Sequence, residues 1–145
     1  MIYTDITKKA MNIAYNYHKD MVDKGGVPYI FHCFFVAEGM KDEKTKVVAL
    51  LHDILEDTSV TAKELINEGI PKDIVDAVTC LARDKNVEYM DYIKNVNKNP
   101  LARQVKIRDL IHNSDLTRLS VVTEKDLIRV KKYKTALEIL RCEDK

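Results

Sequence analysis

Apolar positions recur at intervals of three and four residues through most of the chain, the spacing of one helical face. The first helix starts near Thr4 and carries Ala10, Ile13, Ala14 and Tyr17 on its inner stripe. After the Gly25-Gly26-Val27-Pro28 turn, a second runs from about Tyr29 to Met40 with Phe31, Phe34, Phe35 and Val36. The third, about Lys44 to Asp57, contains VVALLHDIL and is apolar nearly all round, which assigns it to the centre of the domain. Thr61 with Glu64 forms a capping box before a short helix that ends at Gly69. Pro71 opens the next helix, Ile74 to Leu81, and another spans Glu88 to Asn97. Pro100 begins one that continues to about His112, and a last amphipathic helix, about Glu124 to Arg141, turns Leu127, Val130, Tyr133, Leu137 and Leu140 inward. No stretch alternates with strand periodicity for long, so the expected fold is all-α, a multi-helix bundle.

Polar groups interrupt the central helix at HDILEDT, His52 to Thr58. Helical spacing puts His52 with Glu56, Asp53 with Glu56 and Asp53 with Asp57 on shared faces. Burying an unpaired carboxylate costs roughly several kcal/mol, so a cation belongs beside this helix. A divalent metal is the simplest candidate, because His and Asp both ligate one. His32, within IFHCFFVA, and Asp109, within VKIRDLIHN, would bring the set to two nitrogens and two oxygens from three helices. A bland reading stays open for each taken singly: a satisfied core histidine, a helix-surface carboxylate, a chance His-Asp dipeptide.

Composition narrows the class. The 145 residues allow one domain, taken as residues 1–145, and 4 glycines with 3 prolines are too few for the frequent turns of β-rich folds. Lys and Arg number 24 against 23 Asp and Glu, without a run of like charge, so no nucleic-acid polymer is expected as a partner. Apolar runs fall short of the roughly 18 residues of a membrane span, and MIYTDITKKA lacks the basic-then-apolar order of a signal peptide. A cytoplasmic protein with no membrane partner is expected, and the widely spaced Cys33, Cys80 and Cys142 read as reduced thiols. Oligomeric state is not legible at this level.

Three blocks, GVPYIFH, VVALLHDILEDT and VKIRDLIHN, follow one another in order. On them the chain resembles the HD-domain phosphohydrolases, specifically the hydrolase domain of stringent-response RelA/SpoT-type enzymes and the small stand-alone alarmone hydrolases, from about His18 to Tyr133. The resemblance implies a (p)ppGpp 3′-pyrophosphohydrolase with one divalent ion, usually Mn²⁺, held by His32, His52, Asp53 and Asp109. Only His18 and His112 are left over, and neither matches a ligand position, so one metal is expected. Glu56 and Asp57 match the family's acidic pair. Glu56 is expected to orient or deprotonate the attacking water, and Asp57 to act with it or to hold the turn before Thr58. Lys24, Asn113, Arg129 and Tyr133 match substrate-contacting positions. Their bland alternatives are a solvated loop lysine, a helix C-cap, and an exposed Arg beside a core Tyr. Arg83 and Lys85 lie in a loop within reach of phosphates, and the default for such residues is to face water.

The chain departs from the family pattern near the expected nucleotide. Asp23 precedes Lys24 where the family carries an Arg that packs on guanine, and a carboxylate cannot stack as a planar guanidinium does. Cys33 replaces a proline, Asp20-Met21 a Gly-Gln pair, and Arg108 a small residue. The alternatives are therefore an HD hydrolase of another phosphorylated nucleotide, such as NADPH or a nucleoside monophosphate, and a non-catalytic nucleotide-binding regulatory module.

Overall fold

The computed structural model describes residues 1–142, and helices account for every regular element among them. They are α1 (Asp5–His18), α2 (Ile30–Glu38), α3 (Glu43–Leu51), α4 (Ile54–Asp57), α5 (Ala62–Asn67), α6 (Lys72–Leu81), α7 (Tyr89–Asn97), α8 (Pro100–Asn113) and α9 (Glu124–Arg141), with a 3₁₀ turn at Leu116–Arg118. An isolated antiparallel bridge, Val22 with Pro28, closes the loop between α1 and α2.

Local chemistry sets most boundaries. Thr4, Thr61 and Thr123 each accept from a backbone N–H of the first turn while the residue three positions on reaches back, so α1, α5 and α9 start in capping boxes. Asn99 caps α8 ahead of Pro100, whose missing N–H costs nothing at that position. Gly69 ends the α5 segment with φ of +95°, a conformation that L side chains resist.

The apolar run of α3 is central, as its sequence requires: every residue from Thr45 to Leu51 is buried, and α1, α2, α6 and α8 pack around it. Lys46 is buried there too, its ammonium donating to the carbonyls of Ala37 and Met40 at the end of α2.

Three expectations need correction: the unbroken third helix, and the inward places of Tyr17 and Leu127. The third helix is not continuous from Lys44 to Asp57 but breaks at His52–Asp53. The His52 imidazole lies 2.6 Å from the Ala49 carbonyl, which Asp53 N–H would occupy in an unbroken helix. Tyr17 and Leu127 are exposed, and Thr7 and His18 complete the inner face of α1 instead. Phe31 is 61% exposed, because α2 turns His32, Cys33, Val36 and Ala37 inward. Phe34 sits at the surface on the same outer side.

Candidate metal centre and adjoining pocket

The break in α3 arranges the site. It leaves His52 at the end of one helix and Asp53 at φ −101°, ψ 0° before the next, so that His52 Nε2 lies 3.0 Å from Asp53 Oδ2. From α2, His32 Nε2 comes within 3.3 Å of His52 Nε2 and 2.9 Å of Asp109 Oδ1 on α8. His32, His52, Asp53 and Asp109 each offer one ligand atom, and these four atoms lie within 4.8 Å of one another. His32, His52 and Asp109 are buried and Asp53 is half-buried.

The donor set fits a divalent cation. Two carboxylates and two imidazoles sharing a space this small, away from water, have opposite demands that a cation satisfies at once. Burial alone would keep His52 neutral, but Asp53 and Asp109 outweigh it and hold its pKa well above the ordinary value. Burial likewise opposes ionisation of Asp109, yet Lys106 beside it and the hydrogen bonds from His32 and His52 hold its carboxyl far below the usual range.

The imidazoles are oriented from behind. His52 Nδ1 donates to the Ala49 carbonyl, which turns its other nitrogen to the centre. His32 Nδ1 meets Nδ1 of His112 at 2.8 Å. Burial, the Arg118 guanidinium and His32 push the pKa of His112 down to about 4, so this ring is neutral and free to accept. His112 also stacks on Phe35, centroids 3.9 Å apart, with the Arg108 guanidinium on the far ring at 3.8 Å. Asp109 accepts from Lys106 Nζ at 2.8 Å and from Asn113 Nδ2 at 2.9 Å. The Tyr29 hydroxyl donates to Asp53 Oδ2.

The two expected acids lie on α4, which Asp53 precedes. Glu56 Oε1 accepts the backbone N–H of Arg83 at 3.0 Å, which fixes one carboxylate oxygen. Burial, then the charges of Asp53 and Glu56, raise the pKa of Asp57 to about 6. The turn after α4 is held by Thr58 rather than Asp57: its hydroxyl donates to Ile54 O and accepts from Val60 N–H.

Lys24, Asn113, Arg129 and Tyr133 all line one pocket of about 260 Å³, together with Tyr29 and Arg118. Arg129 is paired with Asp126 at 2.8 Å. Arg118 closes one wall, donating to Asp23 Oδ2 at 2.9 Å, to the His112 carbonyl and to Asn113 Oδ1. Asp23 is thus spent on Arg118 and on the N–H groups of Gly25 and Val27. A side chain at Gly25 would strike the Arg118 carbonyl, so glycine lets the two loops meet.

Sequence reasoning missed Tyr29, Lys106, His112 and Arg118. Tyr29 and His112 stand inside the GVPYIFH and VKIRDLIHN blocks, and Lys106 is three residues from Asp109, the spacing of a helical ion pair. Nothing in the sequence signalled Arg118. Lys85 is exposed.

No protein-family model matches the chain. Curated relatives do: over 135 residues it is 39% identical to the guanosine-3′,5′-bis(diphosphate) 3′-pyrophosphohydrolase of Spiroplasma citri, covering 77% of this chain and 17% of that protein. The protein of that name from Aquifex aeolicus is 31% identical over 118 residues, covering 73% and 17% respectively. Other matched relatives are named GTP pyrophosphokinase. The chain spans only 10% to 19% of the length of the curated relatives it matches. Among solved structures, a metazoan orthologue of SpoT, described as hydrolysing ppGpp, has the same fold: TM-score 0.81 at 22% identity, covering 98% of this chain and 89% of that one.

Proposed function

Because this chain belongs to the RelA/SpoT-type hydrolase domains, we propose that it is a metal-dependent phosphohydrolase that removes pyrophosphate from the 3′ position of (p)ppGpp. The observation that carries this reading is the convergence of ligand atoms of His32, His52, Asp53 and Asp109 within 4.8 Å of one another, with Glu56 on α4, the helix that Asp53 precedes. The four side chains would hold one divalent ion, and Mn²⁺ is our assignment from the resemblance. Such an ion supplies positive charge that acidifies a water and polarises the phosphate.

The chain's own groups do the rest. Asn113 and Lys106 fix Asp109, Tyr29 fixes Asp53, and Ala49 and His112 fix the two imidazoles. Glu56, anchored through one oxygen, has the other free to accept a proton from the attacking water. Asp57, next to it in the acidic pair, holds or passes on that proton. Water adds across the 3′ ester: the nucleoside regains its hydroxyl with one proton, and the remaining O–H leaves on pyrophosphate. Lys24 and Arg129 offset the substrate's negative charge, and Tyr133 lines the nucleoside pocket. A cytoplasmic location fits a nucleotide substrate.

Asp23 favours a second reading at the level of the base. Its carboxylate is consumed by Arg118 and its own turn, so residue 23 supplies no stacking plane for guanine. The same chemistry on another phosphorylated nucleotide follows if guanine is not selected. Protein loaded with Mn²⁺ and given ppGpp, pppGpp, NADPH and nucleoside monophosphates separates the two. Our reading expects GDP and pyrophosphate in equal amounts from ppGpp, abolished by chelator. Orthophosphate release from NADPH or a monophosphate, with ppGpp untouched, establishes the second reading, and binding without turnover of any establishes a regulatory module.

A further inference from the structure

Three hydrogen-bond donors meet close to Glu56: Arg83, whose Nη2 donates to the Val87 carbonyl at 3.3 Å, Tyr89, and the exposed Lys132. Arg83 follows α6, Tyr89 opens α7 and Lys132 lies on α9. The Arg83 guanidinium lies 5.1 Å from the Tyr89 ring centroid and the Lys132 ammonium 4.4 Å from it. Arg83 Nε and the Tyr89 hydroxyl are both buried without a hydrogen-bond partner. No carboxylate among the described residues pairs with Arg83 or Lys132, whereas nearby Lys106 and Arg129 are committed to Asp109 and Asp126. Leaving Arg83 Nε and the Tyr89 hydroxyl buried without an acceptor is destabilising, and like charges held close add to that. The repulsion registers on Lys132: burial, then Arg83, Arg129, Lys106 and Lys24, pull its pKa down. Such a cluster lacks an acceptor-rich anion.

Its position says which anion. The Arg83 backbone holds Glu56, so the cluster abuts the water-activating acid. Tyr89 packs 5.9 Å from Tyr92, over which lies Lys106, the partner of Asp109, and 6.3 Å from Tyr133 at the pocket wall. None of the three donors lines the pocket that holds Lys24 and Asn113. A phosphate at the centre, with its nucleoside in the pocket, can extend a second phosphate toward them.

We propose that Arg83, Tyr89 and Lys132 form an anion subsite that takes the outer phosphate of the reacting diphosphate group, so that the site selects release of pyrophosphate over release of orthophosphate. This rests on the hydrolase reading above and adds to it a preference for a diphosphate over a monophosphate at the 3′ position. The test compares the Mn²⁺-loaded protein with the double variant Arg83→Gln, Lys132→Gln and with Tyr89→Phe. Two readouts are taken: the ratio of kcat/KM for a nucleoside 3′-diphosphate to that for the 3′-monophosphate, and calorimetric binding of inorganic pyrophosphate against orthophosphate. The double variant lowers the ratio and weakens pyrophosphate binding by about tenfold or more, while orthophosphate binding moves far less. Tyr89→Phe, which keeps the ring and loses only the donor, gives a smaller loss of the same kind. An unchanged ratio and unchanged pyrophosphate affinity in folded variants overturn the subsite. Should the wild-type protein turn over neither substrate, the hydrolase reading fails, and the pyrophosphate calorimetry still decides for or against the subsite.

Discussion

Nδ1 of His32 and Nδ1 of His112 lie 2.8 Å apart with their rings within 5° of parallel. For His32 Nε2 to offer its lone pair to an ion, the ring's proton must sit on Nδ1 and be donated to His112. Replacing His112 by Phe removes that acceptor and frees the His32 tautomer. The expected result is a loss of Mn²⁺ affinity of about 10- to 100-fold, measured by calorimetry, with partial recovery in His112→Gln, whose amide oxygen can accept. Equal affinities in wild type and His112→Phe would deny the relation any role.

Glu56 carries a separate prediction, because its anchor is the Arg83 backbone and not the centre itself. Glu56→Gln keeps the shape and the hydrogen bond but cannot take a proton. It lowers kcat by about 10²- to 10⁴-fold while Mn²⁺ affinity stays near the parent value. Turnover at the parent rate would remove Glu56 from the mechanism.

Much of this was legible because it is local. Threonine caps at 4, 61 and 123 and Pro100 mark helix starts through contacts within one turn, and the apolar run of α3 dictates its central place. The break at His52–Asp53 was not, since VVALLHDIL continues a helical pattern and only the imidazole's competition for the Ala49 carbonyl interrupts it. Tyr17 and Leu127 misled because a broad apolar stripe does not say which of its edges the neighbours cover. The four converging side chains were found from sequence blocks, but their supports, Tyr29 to Asp53 and Arg118 to Asp23, join residues 24 and 95 positions apart. No helical spacing reports such pairs.

The Asp23–Arg118 pair predicts an acid dependence. Burial works against the Asp23 charge, yet the Val27 N–H, Arg118 and the Gly25 N–H hold its carboxyl below the ordinary 3.8. A carboxyl depressed on folding stabilises fully above its unfolded pKa, and the contribution is lost as pH falls through the folded value. Asp23→Asn should therefore lower Tm at pH 7 by about 3–6 °C. Thermal melts followed by circular dichroism downward from pH 4 should show the gap closing. A gap that persists unchanged at the lowest pH at which both proteins fold would show that charge is not its source.

Two imidazoles and two aspartates converge on a space that one ion would fill. Titrating Mn²⁺ into metal-free protein, with free ion counted by electron paramagnetic resonance, tests it most directly. One ion should bind per chain. His32→Ala, His52→Ala, Asp53→Ala and Asp109→Ala should each weaken binding by more than about 100-fold, beyond the usual loss for an outer partner. A wild-type chain that binds none, or any one of these variants binding as the parent does, would contradict it.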